Sequence, residues 1–429
     1  MSHRYFKSEE LLERALKSIP LGSQTYSKSY THYPFGASPY FIKKGQGSRV
    51  WDADNNEYID FVNSLLAILL GYNDPDVKSA VKEQLELGTI FSLPHELEIK
   101  VAEKIIQMVP CAEKVRFGKN GSDATSGAIR LARAYTGRDR VAVCGYHGWH
   151  DWYIGSTTRD LGIPEATKQL THTFTYNNLD SLEILFRKYP NQISAVILEP
   201  MNIEFPKDGF LKKLKKLVHE HGALLVFDET ITGFRFAKGG AQEYFNVIPD
   251  LATFGKGMAN GYPISVITGR TDIMQLSEEA FLSFTFGGET LSLAATLATL
   301  DKITKEPVID RIKESGKKIM SETERIITEH SLEDLFEIKG HPSWSFLVIK
   351  SFNNYSTWEI KTLFLQEMFK RGILTVGTHN LSYSHSDQDI KKLIDAYEEV
   401  LPLIKAAVVN NKLDQLLTCK PLQPLFKVR

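Results

Sequence analysis

One lysine in this sequence stands where a strand-like segment ends, a position at which many α/β proteins keep reactive side chains. Lys256 lies between two glycines, and the first of these directly follows the apolar segment 251–254, so we expect its amine to be partly desolvated. Desolvation lowers the pKa of a lysine and suits the neutral amine for Schiff-base formation with an aldehyde. The alternative interpretation is an ordinary lysine in a surface loop.

An aspartate ends a second apolar segment of the same kind. Asp228 follows residues 224–227 and lies 256 − 228 = 28 residues before Lys256. A carboxylate directly after a buried strand is costly to bury unless a cationic group pairs with it. Because the carboxyl ends of parallel strands meet at one edge of a sheet, we expect the carboxylate and the amine to lie at that edge.

A third candidate is a short polar motif that opens a predicted helix. Asn120, Gly121, Ser122 and Asp123 follow the strand-like segment 115–117. Free backbone N–H groups at a helix N-terminus can hold an anion such as phosphate. The motif is neither a P-loop, since no Gly-Lys-Ser/Thr ends it, nor a G-x-G-x-x-G fingerprint. An ordinary turn is the alternative.

Aromatic residues flanked by glycines follow another strand-like segment, 141–144. Tyr146 and His147 suit a ring that stacks on a flat ligand. His147 and His150 could also bind a metal together with Asp151, but no further ligands accompany them, so we predict no metal site. Taken together, an amine for an aldehyde, a carboxylate for a protonated ring nitrogen and a cradle for a phosphate describe pyridoxal 5′-phosphate (PLP).

The elements that must position these residues alternate between apolar strands and helices. This alternation predicts an α/β fold whose largely parallel sheet is covered by helices on both faces. After about residue 300 the pattern changes to α+β, which indicates a smaller C-terminal domain. We predict an N-terminal arm and hairpin over 1–60, a large domain over 61–300 and a small domain over 301–429.

Composition excludes several classes of protein. The 429 residues carry 51 Lys+Arg and 52 Asp+Glu, a net charge of −1, which argues against nucleic-acid binding. The hydrophobic share of 42% and charged share of 24% are ordinary globular usage. Three scattered cysteines indicate a reducing compartment. No secretory signal and no run of ~20 apolar residues is visible, so we expect a cytoplasmic protein that does not enter a membrane.

With these motifs in order, the sequence resembles the class III PLP-dependent aminotransferases, and among them glutamate-1-semialdehyde 2,1-aminomutase. The resemblance covers nearly the whole chain from about Pro20. It implies PLP fold type I and a homodimer with shared active sites. The motifs that carry it are Trp51-Asp52-x-Asp54 with Tyr58-Ile59-Asp60, Asn120-Gly121-Ser122-Asp123-Ala124, Tyr146-His147-Gly148, Glu199-Pro200, Asp228-Glu229-x-x-Thr232-Gly233-Phe234-Arg235 and Pro249-Asp250-Leu251 before Gly255-Lys256.

The resemblance implies a role for each matching residue. Lys256 would form the Schiff base with PLP and move the substrate proton, and Asp228 would keep the ring nitrogen protonated. Thr285 matches the threonine that reaches the phosphate from the neighbouring subunit. The remaining expected cofactor contacts are Asn120, Gly121 and Ser122 at the phosphate, and Tyr146, His147, Glu199 and Thr230 around the ring.

The departures from the aminomutase pattern concern the substrate. Lys28 stands where that pattern has a carboxylate-binding arginine, and lysine offers only a point charge in place of a bidentate fork. Ser64-Leu65 replaces Ser-Trp, and the segment 377–383 lacks the acidic gating motif. The expected substrate contacts are Thr25, Lys28, Glu204, Glu289, His379 and Asn380.

We therefore expect an aminotransferase that moves an amino group from an amino acid, with glutamate as the default donor, to an aldehyde or ketone. The polar neighbourhoods 379–380 and 289–290 favour a polyhydroxylated, sugar-like acceptor. The alternatives are an intramolecular aminomutase, a non-catalytic PLP-fold binding protein and a plain nucleotide-binding α/β protein. The last leaves Lys256 and Asp228 without a role.

Overall fold

A computed structural model describes residues 4–423. The chain divides into two compact units: a central unit, Pro75–Ile309, and a terminal unit that combines the residues up to Asp74 with those from Asp310 onward. Among the residues that the structure describes, no helix has the length and apolarity needed to cross a bilayer.

The strands and helices are numbered here in chain order. The strands are β1 Ile42–Gln46, β2 Arg49–Asp52, β3 Glu57–Asp60, β4 Lys114–Gly118, β5 Arg140–Cys144, β6 Thr171–Thr173, β7 Ile193–Leu198, β8 Leu224–Asp228, β9 Leu251–Phe254, β10 Ser265–Gly269, β11 Phe336–His341, β12 Trp344–Ile349, β13 Ile373–Leu374 and β14 Thr378–Asn380. The helices of ten residues or more are α1 Phe6–Ser18, α2 Pro75–Leu87, α3 Glu96–Met108, α4 Gly121–Thr136, α5 Leu179–Lys188, α6 Phe210–Glu220, α7 Thr290–Lys305, α8 Val308–Glu329, α9 Thr357–Lys370 and α10 Asp387–Val409.

The central unit is built on a seven-stranded sheet with the order β4-β10-β9-β8-β7-β5-β6. The five strands from β9 to β6 in this order are parallel, and only β10 runs antiparallel to its neighbours β9 and β4. The predicted α/β fold with a mostly parallel sheet is therefore confirmed. The antiparallel β10 was not predicted, because its sequence is as apolar as that of a parallel strand.

Both faces of this sheet are buried, as the continuous apolar runs predicted. Alternate residues of a strand point to opposite faces. Ile197 and Val226 accordingly pack with helix α4 on one face, and Val196 and Phe227 pack with α5 and α6 on the other.

The terminal unit contains two smaller sheets. Strands β11, β12 and β14 form an antiparallel sheet, and the predicted hairpin β2–β3 is extended by β1 on one side and by β13 on the other. Strand β13 pairs parallel with β3, so the segment predicted as 1–60 and most of the segment predicted as 301–429 belong to one unit. The compact units thus differ from the three predicted segments: they divide after Asp74 and after Ile309.

Candidate active site

The candidate site lies at the carboxyl edge of the central sheet. Strands β8 and β9 are parallel neighbours, and Asp228 pairs with Thr253, three residues before Lys256. The charges of Asp228 and Glu199 both act on the Lys256 amine. The amine and the two carboxylates therefore lie near one another at this edge of the sheet.

Asp228 is a buried carboxylate that is surrounded by hydrogen-bond donors. Its Oδ1 accepts bonds from the Thr230 N–H at 3.1 Å, the Thr230 hydroxyl at 2.6 Å and the Thr253 hydroxyl at 3.1 Å. Its Oδ2 lies 2.9 Å from Nδ1 of His147. Burial alone would raise the pKa of Asp228, but the hydrogen bonds and charge of His147 and the bonds from Thr230 outweigh it and lower the pKa. Asp228 is thus held as a carboxylate.

His147 fixes the orientation of that carboxylate. Its Nε2 lies 3.1 Å from the carbonyl oxygen of Cys144. A carbonyl can only accept, so Nε2 carries a hydrogen and the ring is held between the end of β5 and Asp228. The Thr125 hydroxyl in turn donates to the carbonyl of His147 at 2.8 Å, which ties the same loop to helix α4.

Lys256 presents a reactive amine. Burial lowers its pKa below 10.5, although Glu199 and Asp228 act in the opposite direction. Its amine makes no hydrogen bond or ion pair with any residue in the described range 4–423. The backbone of Lys256 has φ 45°, a left-handed conformation that costs a non-glycine residue about 1–3 kcal/mol. Strain of this kind persists where the surrounding structure holds the residue in place.

The N-terminus of helix α4 forms the predicted cradle. The Asp123 carboxylate accepts the N–H groups of Lys119 and Asn120 at 3.0 and 2.7 Å. The N–H groups of Gly121 and Ser122 make no hydrogen bond within residues 4–423, and they stand at the positive end of a 16-residue helix. Such N–H groups bind anions.

Two glycines let neighbouring segments approach this helix end. A Cβ on Gly148, which has φ 104°, would lie 2.3 Å from the Ser122 hydroxyl oxygen. A Cβ on Gly121 would lie 3.2 Å from Cγ2 of Thr230. The cradle, the 145–148 loop and the residues after β8 are therefore in contact, which places Ser122 and Thr230 close to the loop that carries Tyr146 and His147.

The 145–148 loop also carries the predicted stacking residue. The Tyr146 side chain is 52% exposed, and burial of its remainder and then the charge of Asp228 raise its pKa. Glu199 anchors this loop, because its Oε1 accepts the Tyr146 N–H at 3.0 Å. Burial raises the pKa of Glu199, and Asn202, which the sequence analysis missed, donates to both of its oxygens at 3.2 Å. Tyr146 is thus an exposed ring on a firmly held loop.

Glu229, the neighbour of Asp228, is not part of the site. It is fully buried, and it accepts hydrogen bonds from the N–H groups of Ala241 and Gln242, from the Gln242 side chain and from Thr232. Its role is structural. Thr253 was not predicted to belong to the site, and a hydroxyl within an otherwise apolar strand was the available signal.

The remaining candidates of the central unit lie at its surface or in its framework. Thr285 is exposed on the turn 284–288. Glu204 is exposed and pairs with Lys207 at 3.3 Å. Glu289 caps helix α7 and pairs with Lys119 at 2.9 Å, so its oxygens already have partners. The structure favours a structural role for Glu289 over the predicted substrate contact.

The other four substrate candidates belong to the terminal unit. Thr25 is half-buried, and the Lys28 amine lies 3.1 Å from the Ser64 hydroxyl. His379 is enclosed: its ring nitrogens bond to Ser345 and Tyr397 at 2.8 Å each, and burial lowers its pKa to about 3. Asn380 is also buried, and its amide donates to the Val62 carbonyl at 2.8 Å. His379 and Asn380 therefore support the unit's own structure.

Known proteins share this fold and sequence pattern. The sequence model of the family Aminotransferase class-III matches residues 32–401. The 3-aminobutyryl-CoA aminotransferase of Cloacimonas acidaminovorans (strain Evry) is 33% identical over 409 residues, 93% of this chain and 97% of that protein. The PLP internal aldimine form of the FumI protein from Sphingopyxis sp. MTA144 is 28% identical, with a TM-score of 0.88 and coverage of 97% of this chain and 99% of that one.

The subgroup suggested by the sequence motifs is supported at the level of the fold only. A glutamate-1-semialdehyde aminomutase from Pseudomonas aeruginosa PAO1 superposes with a TM-score of 0.81 and covers 94% of this chain and 95% of that one. Its identity with this chain is 20%.

The lowered pKa of Lys256 generates a prediction. Treatment of the PLP-free apoprotein with a small water-soluble aldehyde and cyanoborohydride should modify Lys256 at lower pH than the solvent-exposed Lys212 and Lys216. The reason is that an amine reacts when neutral, and a pKa below 10.5 gives Lys256 a larger neutral fraction at every pH in the titration range. Peptide mass mapping across a pH series measures all three lysines in one sample. Coincident pH profiles would contradict the prediction.

Proposed function

We propose that this chain, which belongs to the class-III aminotransferases and uses pyridoxal 5′-phosphate, moves an amino group from an amino-acid donor to an aldehyde or ketone acceptor. Glutamate is the proposed donor. The observation that carries the proposal is the placement of Lys256 and Asp228 at the ends of neighbouring parallel strands, in the same unit as a helix N-terminus with two available N–H groups.

The residues of the site fit the cofactor. PLP supplies an electron sink and a temporary carrier for the amino group. An ionised, buried Asp228 suits a protonated ring nitrogen, and its lowered pKa keeps it charged at neutral pH. Gly121 and Ser122 suit the phosphate, and the exposed ring of Tyr146 suits the flat face of the pyridine.

Lys256 supplies the proton transfer in this proposal. Its pKa is lowered, which favours the neutral amine. A neutral amine would hold the cofactor covalently, and once a substrate amine has displaced it, Lys256 would be free to accept the proton from the substrate carbon. Glu199 and Asp228 limit that lowering, which leaves the amine able to return the proton. One residue can thus act as base and as acid.

For the acceptor we propose a carbonyl that is not part of an α-keto acid. The relative from Cloacimonas is named for a substrate with its amine on the third carbon. In this chain Lys28 offers an ammonium beside the Ser64 hydroxyl, at 3.1 Å, where the aminomutase pattern has arginine. That pair suits a hydroxyl or a single oxygen better than it suits bidentate capture of a carboxylate. A polyhydroxylated aldehyde or ketone is therefore the proposed acceptor class.

Two half-reactions test the proposal. The holoenzyme is mixed with single amino acids, and loss of the visible absorbance of the lysine-bound cofactor reports amino transfer from the donor. Glutamate should give this change, and an aldehyde or ketone should then reverse it. An intramolecular aminomutase behaves differently, because one compound turns over continuously without an external donor. Turnover of that kind would replace the proposed function by the mutase alternative.

Substitutions of Lys256 and Asp228 distinguish PLP binding from amino transfer. Lys256→Ala should retain PLP only non-covalently and should lose transamination. Asp228→Asn should keep PLP but slow the donor half-reaction at least about 10²-fold, because the ring nitrogen loses its charged partner. Stopped-flow absorbance measures both. Thr253→Val, which removes one hydrogen bond to Asp228, should have a smaller effect. Normal half-reaction rates in Lys256→Ala would contradict the assignment.

We also propose that the active form is a homodimer. Leu93, Ile99 and Phe286 are 79%, 62% and 57% exposed. Ile99 on helix α3 lines a groove of about 460 Å³ together with Phe284 and Gly288 of the turn 284–288. Leu93 directly precedes the lining residue Pro94, and Phe286 belongs to the same turn. Exposed apolar surface of this kind marks interaction sites. Thr285 lies on the same turn, so a second copy seated here supports its expected reach into a partner's phosphate site.

The dimer proposal predicts the effect of charge in this surface. Leu93→Glu should shift the protein to monomer in sedimentation velocity, because the carboxylate would have to be buried against apolar groups. The PLP affinity should fall with it, since each site would lose the partner's Thr285. Leu161→Glu is the matched control, because Leu161 is 99% exposed elsewhere in the same unit. A dimer that survives Leu93→Glu unchanged would rule out this surface.

A further inference from the structure

An ion pair joins the residue before the cradle to the residue after the Thr285 turn. The Lys119 amine lies 2.9 Å from Oε2 of Glu289 and 3.2 Å from the Ser292 hydroxyl. Both side chains of the ion pair are largely buried, with 19% and 18% exposed. Lys119 directly precedes Asn120, and Glu289 comes four residues after Thr285. The pair thus connects two segments that the proposed function assigns to the cofactor phosphate.

Glu289 is held rigidly at its own end of the pair. Its carboxylate caps helix α7 by accepting the N–H groups of Leu291 and Ser292 at 2.8 and 3.1 Å and the Ser292 hydroxyl at 2.6 Å. Burial alone would raise the pKa of Glu289, but the bonds from Ser292 and Lys119 outweigh it and lower the pKa. A charged, capped glutamate gives Lys119 a fixed partner.

The turn between Thr285 and Glu289 is packed closely against strand β4 and helix α3. A Cβ on Gly287 would lie 2.9 Å from the Phe117 carbonyl oxygen, and one on Gly288 would lie 2.6 Å from Oε1 of Glu98. Turn hydrogen bonds from Gly287 to Phe284 and from Glu289 to Phe286, at 3.0 and 3.2 Å, complete it. Because of this close packing, the turn cannot shift without displacing the end of β4, where the cradle begins.

We propose that Lys119 and Glu289 are positioning residues that fix the Thr285 turn relative to the phosphate-binding end of helix α4. The proposal rests on the proposed function and its dimer. There, one subunit's cradle meets the partner's Thr285, so the ion pair in each subunit sets the geometry of both phosphate sites. Lys119 itself does not serve as the phosphate ligand, because its amine is already held by Glu289 and Ser292.

The experiment measures PLP affinity of the full-length apoprotein by absorbance titration. Lys119→Met and Glu289→Gln should each raise the apparent Kd about tenfold, which corresponds to about 1.4 kcal/mol. The double variant should be no weaker than either single variant, because the two residues act as one unit. Lys119→Arg, which keeps the charge and can reach Glu289, should restore the affinity to within about threefold of the wild type.

The matched control is Lys104→Met. Lys104 pairs with Asp301 on the same helix α7 at 2.8 Å and has a side chain 15% exposed, but it lies on helix α3, away from the cradle motif. It should leave the Kd for PLP unchanged. The thermal midpoint of each apoprotein is measured beside the titration. If the Lys119–Glu289 pair only stabilises the fold, Lys119→Met and Lys104→Met should lower the thermal midpoint and the PLP affinity to the same extent. That result would overturn the inference.

Two further results would also overturn it. If Lys119→Met weakens PLP binding while Glu289→Gln strengthens it, Lys119 contacts the phosphate directly and is not a positioning residue. If both single variants bind PLP as the wild type does, the ion pair has no role in the site while the proposed function stands. Failure of the wild type to bind PLP at all would overturn both proposals together.

Discussion

The site depends on keeping a carboxylate charged inside the protein. Asp228 is buried at the end of a central strand, where an unpaired charge is too costly to keep. Hydrogen bonds from three segments stabilise the charge. They come from Thr253 on the adjacent strand, Thr230 on the following turn and His147 on the loop after β5. The parallel pairing of the strands and the course of that loop are therefore conditions for the chemistry, because each places one donor.

The contrast with Glu229 shows that environment, not residue type, makes the site. Both carboxylates are buried neighbours, yet the pKa of Asp228 is lowered and that of Glu229 is raised. Successive residues at a strand end point in opposite directions. Glu229 turns toward the segment that holds Gln242, which satisfies it with neutral donors, whereas Asp228 turns toward the His147 ring and the Lys256 amine. Of the two carboxylates, only Asp228 is therefore placed to present its negative charge to a ligand.

Local patterns in the sequence were enough to predict the parallel sheet and to place Asp228 and Lys256 at the ends of its strands, because each of these features depends on a few consecutive residues. Contacts between segments that are far apart in the sequence could not be predicted in this way. Glu289 looked like a pocket residue until its partner Lys119, 170 positions away, was placed beside it. His379 looked available for substrate, but its enclosure depends on Ser345 and Tyr397. The pairing of β3 with β13 across the chain likewise has no local signal.

One segment of the terminal unit adopts a backbone conformation that non-glycine residues disfavour. The consecutive residues Asn63–Leu66 have φ of 46°, 48°, 59° and 70°, a left-handed turn that costs about 1–2 kcal/mol per non-glycine residue. Long-range bonds hold it: Asp60 accepts two consecutive N–H groups at 2.8 and 2.9 Å, and the Asn63 amide donates to the Asn380 carbonyl. The turn presents Ser64 to Lys28 at 3.1 Å. Lys28, one departure from the aminomutase pattern, therefore contacts the strained turn that carries the other departure, Leu65. A change at position 28 alone would leave that turn in its strained conformation.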